Sequence, residues 1–413
     1  MVRNMFRKSM LVFAAGMLLS TMASGKTTEI TLWEQMEPAV RPTYLKLVDE
    51  FMKKNPDVKV NVVHYSVEDL RTQFQNASLA GQGPDIVYGP NDNIGIFMVS
   101  DLIKPIGKVV SKDLIAKFND GALKSGMYND EVYLLPEFLG NQIALLYNKK
   151  LVKNAPKTWD EFLEVAKANT AVDAKDKANS KYGFLYNEKE PFWFVGFYAG
   201  FGGEIFDKSN NPTLDNEAMV NALTFVKDVR AKYGLGEAGM DYDIASQLFK
   251  QEKAAMILNG AWSWKEYEDA GIDLGVAPMP IPSKHGYALF TNASKGYSLS
   301  ENTSDSKGEA LNKFFDYIFS PEVNAEIAIN QSQAPGIEAA RNLPAVKNDK
   351  LMQDSIATIE HTVPMPVIPE MRAIWDAIRP NLEAVINGKM TPQDAAKKMQ
   401  KDAVDGIKTI KGE

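Results

Sequence analysis

Cysteine is absent from all 413 residues, which excludes a disulfide framework, a thiolate metal site and a cysteine nucleophile. The same absence removes the residue that a bacterial lipoprotein signal needs for its lipid. Only three histidines occur, His64, His285 and His361, far apart and without H-E-x-x-H or similar ligand spacing, so each is expected to be structural and no metal or other cofactor is implied. Gly81-Gln82-Gly83 is neither G-x-G-x-x-G nor a P-loop, and no G-x-S-x-G is present. The stretch DKSNNPTLDNE (207–217) is rich in oxygen donors but lacks the glycine at position six of a calcium loop, and it reads as a solvated hairpin. Excess positive charge is lacking as well: the formal charge is −7, and it becomes −10 without the three basic residues Arg3, Arg7 and Lys8. That balance argues against nucleic acid or an anionic membrane surface as partner and suits a polar or neutral ligand.

Apolar runs of membrane-spanning length are also missing. Residues 1–25 combine those basic residues with the short run MLVFAAGMLL and the small-residue stretch STMASG, the pattern of a secretory signal with cleavage near Ala23 to Gly25. Export without a lipid tether implies the periplasm, with no membrane insertion after cleavage. About 388 residues would remain, more than one core normally holds, so two domains are expected. The composition, 45% hydrophobic and 24% charged, is that of an ordinary globular protein, with no internal repeat and no low-complexity tract.

The residues present alternate between strand and helix patterns. EITLWE (29–34) and VKVNVVHY (58–65) alternate as strands, and between them Tyr44, Val48, Phe51 and Met52 recur at helical spacing until Asn55-Pro56, giving a βαβ unit. GPDIVYG (83–89) and IALLYNKK (143–150) read as buried strands. Thr158-Trp159-Asp160-Glu161 forms a capping box, and Ser320-Pro321 and Thr391-Pro392 each pair an N-cap with proline at the first helical position. The fold class is α/β, with parallel sheets expected.

Aromatic residues stand beside carboxylates, amides and arginine in four loop-like stretches: YGPNDN (88–93), KEPFWF (189–194), NGAWSW (259–264) and MPVIPEMRAIW (365–375), the last followed by Arg379. A sugar ring offers an apolar C–H face and a rim of hydroxyls, so it suits flat aromatic surfaces with a few planar polar side chains. Trp33 and Trp193 read as core residues. In NGAWSW the Asn-Gly pair marks a turn, and if the stretch is extended Trp262 and Trp264 point to opposite sides, one toward a core and one toward a ligand.

In order along the chain, GQGPDIVYGPND, LLYNKKLV followed by PKTWDEF, YNEKEPF, MDYDIASQLFKQEKAAMILNGAWSW and MPVIPEMRAIWDAIR resemble the periplasmic solute-binding proteins of ABC transporters, and among these the maltose/maltodextrin-binding proteins (extracellular solute-binding family 1). The resemblance spans nearly the whole mature chain. It implies a two-lobed α/β periplasmic binding protein fold (type II), its ligand cleft lying between lobes joined by a multi-segment hinge. The lobes would comprise 26–138 with 290–334, and 139–289 with 335–413. The implied protein is a monomer, not an enzyme, that closes on a disaccharide or oligosaccharide and delivers it to a membrane permease. Carried over residue by residue, Asp92 matches a sugar-bonding aspartate of the first lobe. Glu190 and Phe192 match an E-P-aromatic motif, Tyr242 matches a cleft tyrosine, and Trp262, Trp375 and Arg379 match stacking tryptophans and an arginine near the site, with Trp264 in support. Glu137 or Asn141 aligns loosely with a cleft glutamate, because the chain has one residue more than the pattern between Pro136 and Tyr147. Gly89 and Asn93 replace a tryptophan and an arginine, which leaves open a ligand other than maltose, such as trehalose or another oligosaccharide. The alternatives are a non-sugar solute on the same fold, or a secreted glycoside hydrolase drawing two carboxylates from Asp92, Glu137 and Glu190.

Overall fold

The computed structural model describes residues 27–412 except 174, 177 and 178; the expected signal segment, residues 1–25, lies outside them. Residues 28–34 and 58–64 form parallel strands, paired from Thr28 against Val58 to Glu34 against His64. The intervening helix Arg41–Lys54 buries Tyr44, Leu47, Val48 and Phe51, an i, i+3, i+4, i+7 set that covers the sheet. Asn55 ends it, because the residue before a proline disfavours the α conformation.

Two sheets organise two α/β lobes. In the eight-stranded sheet the order of strands is 334–335, 135–140, 290–300, 86–90, 28–34 and 58–64, with 362–364 and 103–104 also pairing with 290–300. The four-stranded sheet runs 274–277, 143–148, 254–260 and 182–186. Both are mixed rather than parallel: 290–300 is antiparallel to 86–90 and to 135–140, and 143–148 is antiparallel to both of its neighbours. The reason is topological, since strands next to the passages between lobes enter each sheet in the return direction.

Strands in both lobes are buried on two faces, so their residues alternate between two cores. In 143–148, Ile143 and Leu145 pack with Phe184 and Trp193, whereas Ala144 and Leu146 pack with Trp264 and Tyr267. Each such fully buried large apolar side chain is worth about 1.5–3 kcal/mol relative to exposure. Strand 290–300 serves both lobes: Phe290 and Ala293 pack in the second lobe's main core, Tyr297 and Leu299 in the first lobe's. The chain also passes between lobes at Gly140 and Asn141, both at positive φ, where the Asn141 N–H donates to the Gln333 side chain. The sequence division assigns 335–413 to the second lobe; within that range Ile337, Ala340, Val346 and Met352 pack in the first lobe's core, because helices 338–341 and 344–348 lie against helix 321–330.

The helix starts are as legible as their chemistry allows. Thr158 accepts from the Glu161 N–H and Thr391 from the Asp394 N–H, each at the start of its helix. Ser320 precedes helix 321–330 without capping it; its hydroxyl donates to the Tyr317 carbonyl instead. Phe206, just before the 207–217 stretch, bridges antiparallel to Pro212 within it, and Asp207 accepts from the Ser209 and Asn211 N–H groups.

Candidate ligand-binding cleft

The aromatic residues of these stretches stand on helices, a strand and a 3-10 turn rather than in loops. Glu190 precedes helix 191–200, with Pro191 at its first position and Phe192 next. Tyr242 opens helix 242–250, capped by Asp241. Trp375 and Arg379 lie four residues apart on helix 371–386, hence on one face. Asn259 and Gly260 are the last residues of strand 254–260 rather than a turn, and Ala261 to Ser263 then coil into a 3-10 turn that leads straight into helix 264–269. Because that segment is helical rather than extended, its two indoles diverge by rotation about a helix axis. Trp264 is fully buried in the second lobe's rear core, and Trp262 lies at the front.

At the front, the Trp262 ring is 6.2 Å from Phe192 and 5.8 Å from Trp193, and Trp193 is 6.3 Å from Tyr242. Gly260 lets the indole lie against the backbone, since a Cβ there would come within 2.0 Å of ring carbons. Trp193 is core, as its sequence context implies, with its indole N–H held by the Leu258 carbonyl at 2.9 Å. Trp33 is instead half-buried, its ring 4.8 Å from Tyr65. Arg379 pairs with Glu190, Nη2 to Oε1 at 3.1 Å. Arg41 is likewise committed, to the buried Glu34 at 2.7 Å, so neither arginine is free for an anion.

The first lobe meets this shelf directly. Trp375 donates from Nε1 to Asp92 Oδ2 at 2.9 Å, Lys295 Nζ lies 5.7 Å from the Trp262 ring centroid, and Arg372 approaches Glu68 at 3.8 Å. Gly95 packs so closely on Ile368 and Pro369 that a Cβ would come within 2.4 Å of their backbone. The two walls are therefore in contact, an arrangement that fits a closed cleft. Burial raises the Asp92 pKa, opposed by the Trp375 hydrogen bond and Arg71. Burial also raises that of Glu37, which the second-lobe carboxylates of Glu266 and Asp243 push further in the same direction. Arg71 is lowered to about 10 by burial and by Arg372.

Trp262 and Trp375 belong to one buried cluster with Phe192 and Tyr242 packed against it; Asp92 joins through Trp375, and Glu190 through Arg379, one turn along the helix from Trp375. Asn93 is adjacent: its amide nitrogen and that of Gln35 would each lie 3.6 Å from a Cβ at Gly89. Glu137 does not reach this set. Lys295 pairs with Phe138 and Gly296 with Pro136, so Glu137 is the extra residue of a β-bulge, and its side chain turns into the first lobe's core. There the carboxylate accepts from the Tyr88 hydroxyl at 2.7 Å, from Tyr297, and from Gln331 at 3.1 Å; burial raises its pKa to about 7. Asn141 belongs to the passage between lobes, and no hydrogen bond or ring contact links it to the aromatic set among the described residues. Gln35, Glu37 and Lys295 border the cleft without having been singled out in sequence. A lysine in the middle of the buried run TNASKGYSLS was the available signal.

A buried front of aromatic rings, an aspartate and a bound arginine facing it, and two lobes in contact across it define a protein that encloses a small solute. The bacterial extracellular solute-binding protein family matches residues 37–325, and the chain belongs to that family. Among its relatives, the maltotriose-binding protein of Pyrococcus abyssi is 30% identical over 88% of this chain and 78% of its own length. The galactooligosaccharide-binding protein of Bacillus subtilis is 29% identical over 94% and 92%. In three dimensions the chain is similar to the maltose/maltodextrin-binding domain of Bdellovibrio bacteriovorus bound to maltotriose, with a TM-score of 0.87, 33% identity, and coverage of 92% of this chain and 100% of that one. The maltotriose-binding protein of Thermus thermophilus bound with maltotriose gives a TM-score of 0.83 and 28% identity over 92% and 100%.

Proposed function

We propose that this chain is the substrate-binding component of an ABC importer for maltooligosaccharides, enclosing the sugar by hinge closure and handing it unchanged to a membrane permease. The observation that carries the reading is the Asp92 carboxylate. One oxygen holds Trp375 across the cleft, while the other, Oδ1, is buried with no donor among the described residues. A buried acceptor beside stacking surfaces suits a ring hydroxyl. Ligand contacts to both walls would favour the closed population over the open one.

The ligand-binding set is Asp92, Asn93, Glu190, Phe192, Tyr242, Trp262, Trp375 and Arg379, with Glu137 bracing the first lobe from within. Sugar relatives in both comparisons favour a carbohydrate over a charged solute. A hydrolytic pair is poorly supported, because Glu137 is enclosed by tyrosines and Glu190 is tied to Arg379. The first lobe comprises 26–138 and 290–334 together with helices 338–341 and 344–348, and the second lobe the remainder. Export through a cleaved signal to the periplasm, without lipidation and as a monomer, completes the reading; among the described residues no helix is long and apolar enough to cross a membrane.

The test is calorimetric titration of the protein with maltose, maltotriose, trehalose and a galactooligosaccharide, beside incubation to look for shortened products. Maltotriose should bind tightly and survive intact. Failure of the whole panel to bind, or cleavage, overturns the reading.

A further inference from the structure

The strand 290–300 is buried along almost its whole length, and within it Lys295 places a cation where small and apolar side chains otherwise stand. Its ladder partners are Pro90 on one side and Phe138 on the other, beside the bulge at Glu137. Lys295 is only 8% exposed, yet among the described residues no hydrogen bond or ion pair holds its ammonium, which lies 5.7 Å from the Trp262 ring centroid. The carboxylates of Glu37, Glu137 and Asp92 favour its charge from a distance while burial disfavours it. A largely buried ammonium with no oxygen partner in the chain is open to an acceptor from outside it.

Three further polar atoms of the first lobe are fully buried and without partners. Gln35 is 3% exposed, and both its amide oxygen and its amide nitrogen lack partners. That nitrogen lies beside Gly89, which pairs with Gly296; Lys295, the next residue along the strand, sends its side chain to the other face of the sheet. Asp92 Oδ1 is the third. One donor, Lys295 Nζ, and one acceptor, Asp92 Oδ1, close enough to act on each other's charge, therefore stand without hydrogen-bond partners at the cleft. Hydroxyl groups donate and accept at once and can satisfy both. A phosphate or carboxylate ligand would satisfy only the donor and would face Asp92 with like charge.

We propose that Lys295 is a ligand-binding and specificity-determining residue of the cleft: a sugar ring stacking on Trp262 takes the place of the ammonium there, and the ammonium donates to that ring's hydroxyls. This rests on the carbohydrate reading given above. The wall where Gly89 and Asn93 stand in for an aromatic and a cation thereby regains a cation from a remote strand, as a reader of ring edges rather than a stacking surface.

The test compares wild type with Lys295→Met and Lys295→Gln by calorimetric titration with maltotriose and by thermal unfolding without sugar. Met keeps the stem and removes the charge, so its melting temperature should equal or exceed that of wild type while its affinity drops about tenfold, the loss of one charge-assisted hydrogen bond. Gln, which keeps an N–H donor, should recover part of the loss. Wild-type affinity in Lys295→Met overturns the proposal, and so does a parallel loss of affinity and melting temperature, which marks a structural role. If wild type itself binds no sugar of the panel, the carbohydrate reading falls first and this role falls with it; if wild type binds and Met does too, only the role of Lys295 is refuted.

Discussion

Replacing Asp92 by asparagine changes one atom pair and almost no volume, so it isolates what the carboxylate does. Oδ2 keeps a counterpart, since the asparagine oxygen can still accept from Trp375, now at 2.9 Å across the cleft. What disappears is the second acceptor, Oδ1, which is buried and unpartnered. A hydrogen bond to a charged group is worth about 1.5–3 kcal/mol against about 0.5–1.5 for a neutral one, so the variant should bind maltotriose about 1–2 kcal/mol more weakly, roughly 5- to 30-fold. Burial supplies a second readout, because it raises the folded-state pKa of Asp92. A raised acid pKa means that folding favours the protonated form. Its contribution to stability is therefore complete below the unfolded pKa and is lost as pH rises through the folded one. Ligand binding needs the ionised acceptor and follows the opposite trend, weakening as pH falls through that raised value. Wild-type affinity should thus fall as pH is lowered, while that of Asp92→Asn stays flatter. Equal affinity in the two proteins at neutral pH, or identical acid dependence, would refute the reasoning.

Trp262→Ala should weaken sugar binding by about 1–3 kcal/mol, with a cooperative melt retained, as titration and calorimetry would register. Gly260→Ala should cost about 1–3 kcal/mol of stability and reduce affinity as well, because the new methyl would come within 2.0 Å of the Trp262 ring at a backbone with ordinary φ, so the effect is steric rather than conformational; unfolding and titration measure both. Burial raises Glu137 to about 7, so its protonated form is the one favoured by folding, and wild-type melting temperature should decline as pH rises through about 7, a decline that Glu137→Gln flattens. Arg379→Ala removes an ion pair whose side chains are 40% and 30% exposed, so its direct effect on unfolding free energy should stay below about 1 kcal/mol.

The βαβ opening and the helix caps at Thr158 and Thr391 were legible because period and capping chemistry are local. Strand direction was not: whether 290–300 runs with or against 86–90 depends on where the chain returns from the other lobe, which no window of sequence records. The same limit governs the cleft. Trp375 and Asp92 are 283 residues apart in sequence and in hydrogen-bond contact, and only the family resemblance linked them. Spacing could not choose between Glu137 and Asn141, because the bulge that sends Glu137 into the core is a property of its pairing with Lys295 and Gly296. The part of NGAWSW that carries the indoles is helical rather than extended, and the two indoles separate into different buried clusters, Trp262 into one and Trp264 into the other, by rotation about the helix axis rather than by strand alternation. Lys295 escaped notice because a single lysine in a strand reads as a solvated edge until its neighbours show both sides covered.

A crystal structure grown with maltotriose tests the central claim most directly. The account requires a glucose ring against Trp262, its hydroxyls on Asp92 Oδ1, with both lobes contributing contacts. Sugar density outside the space between Asp92 and the Trp262–Trp375 wall, or a sugar touching one lobe alone, would contradict it.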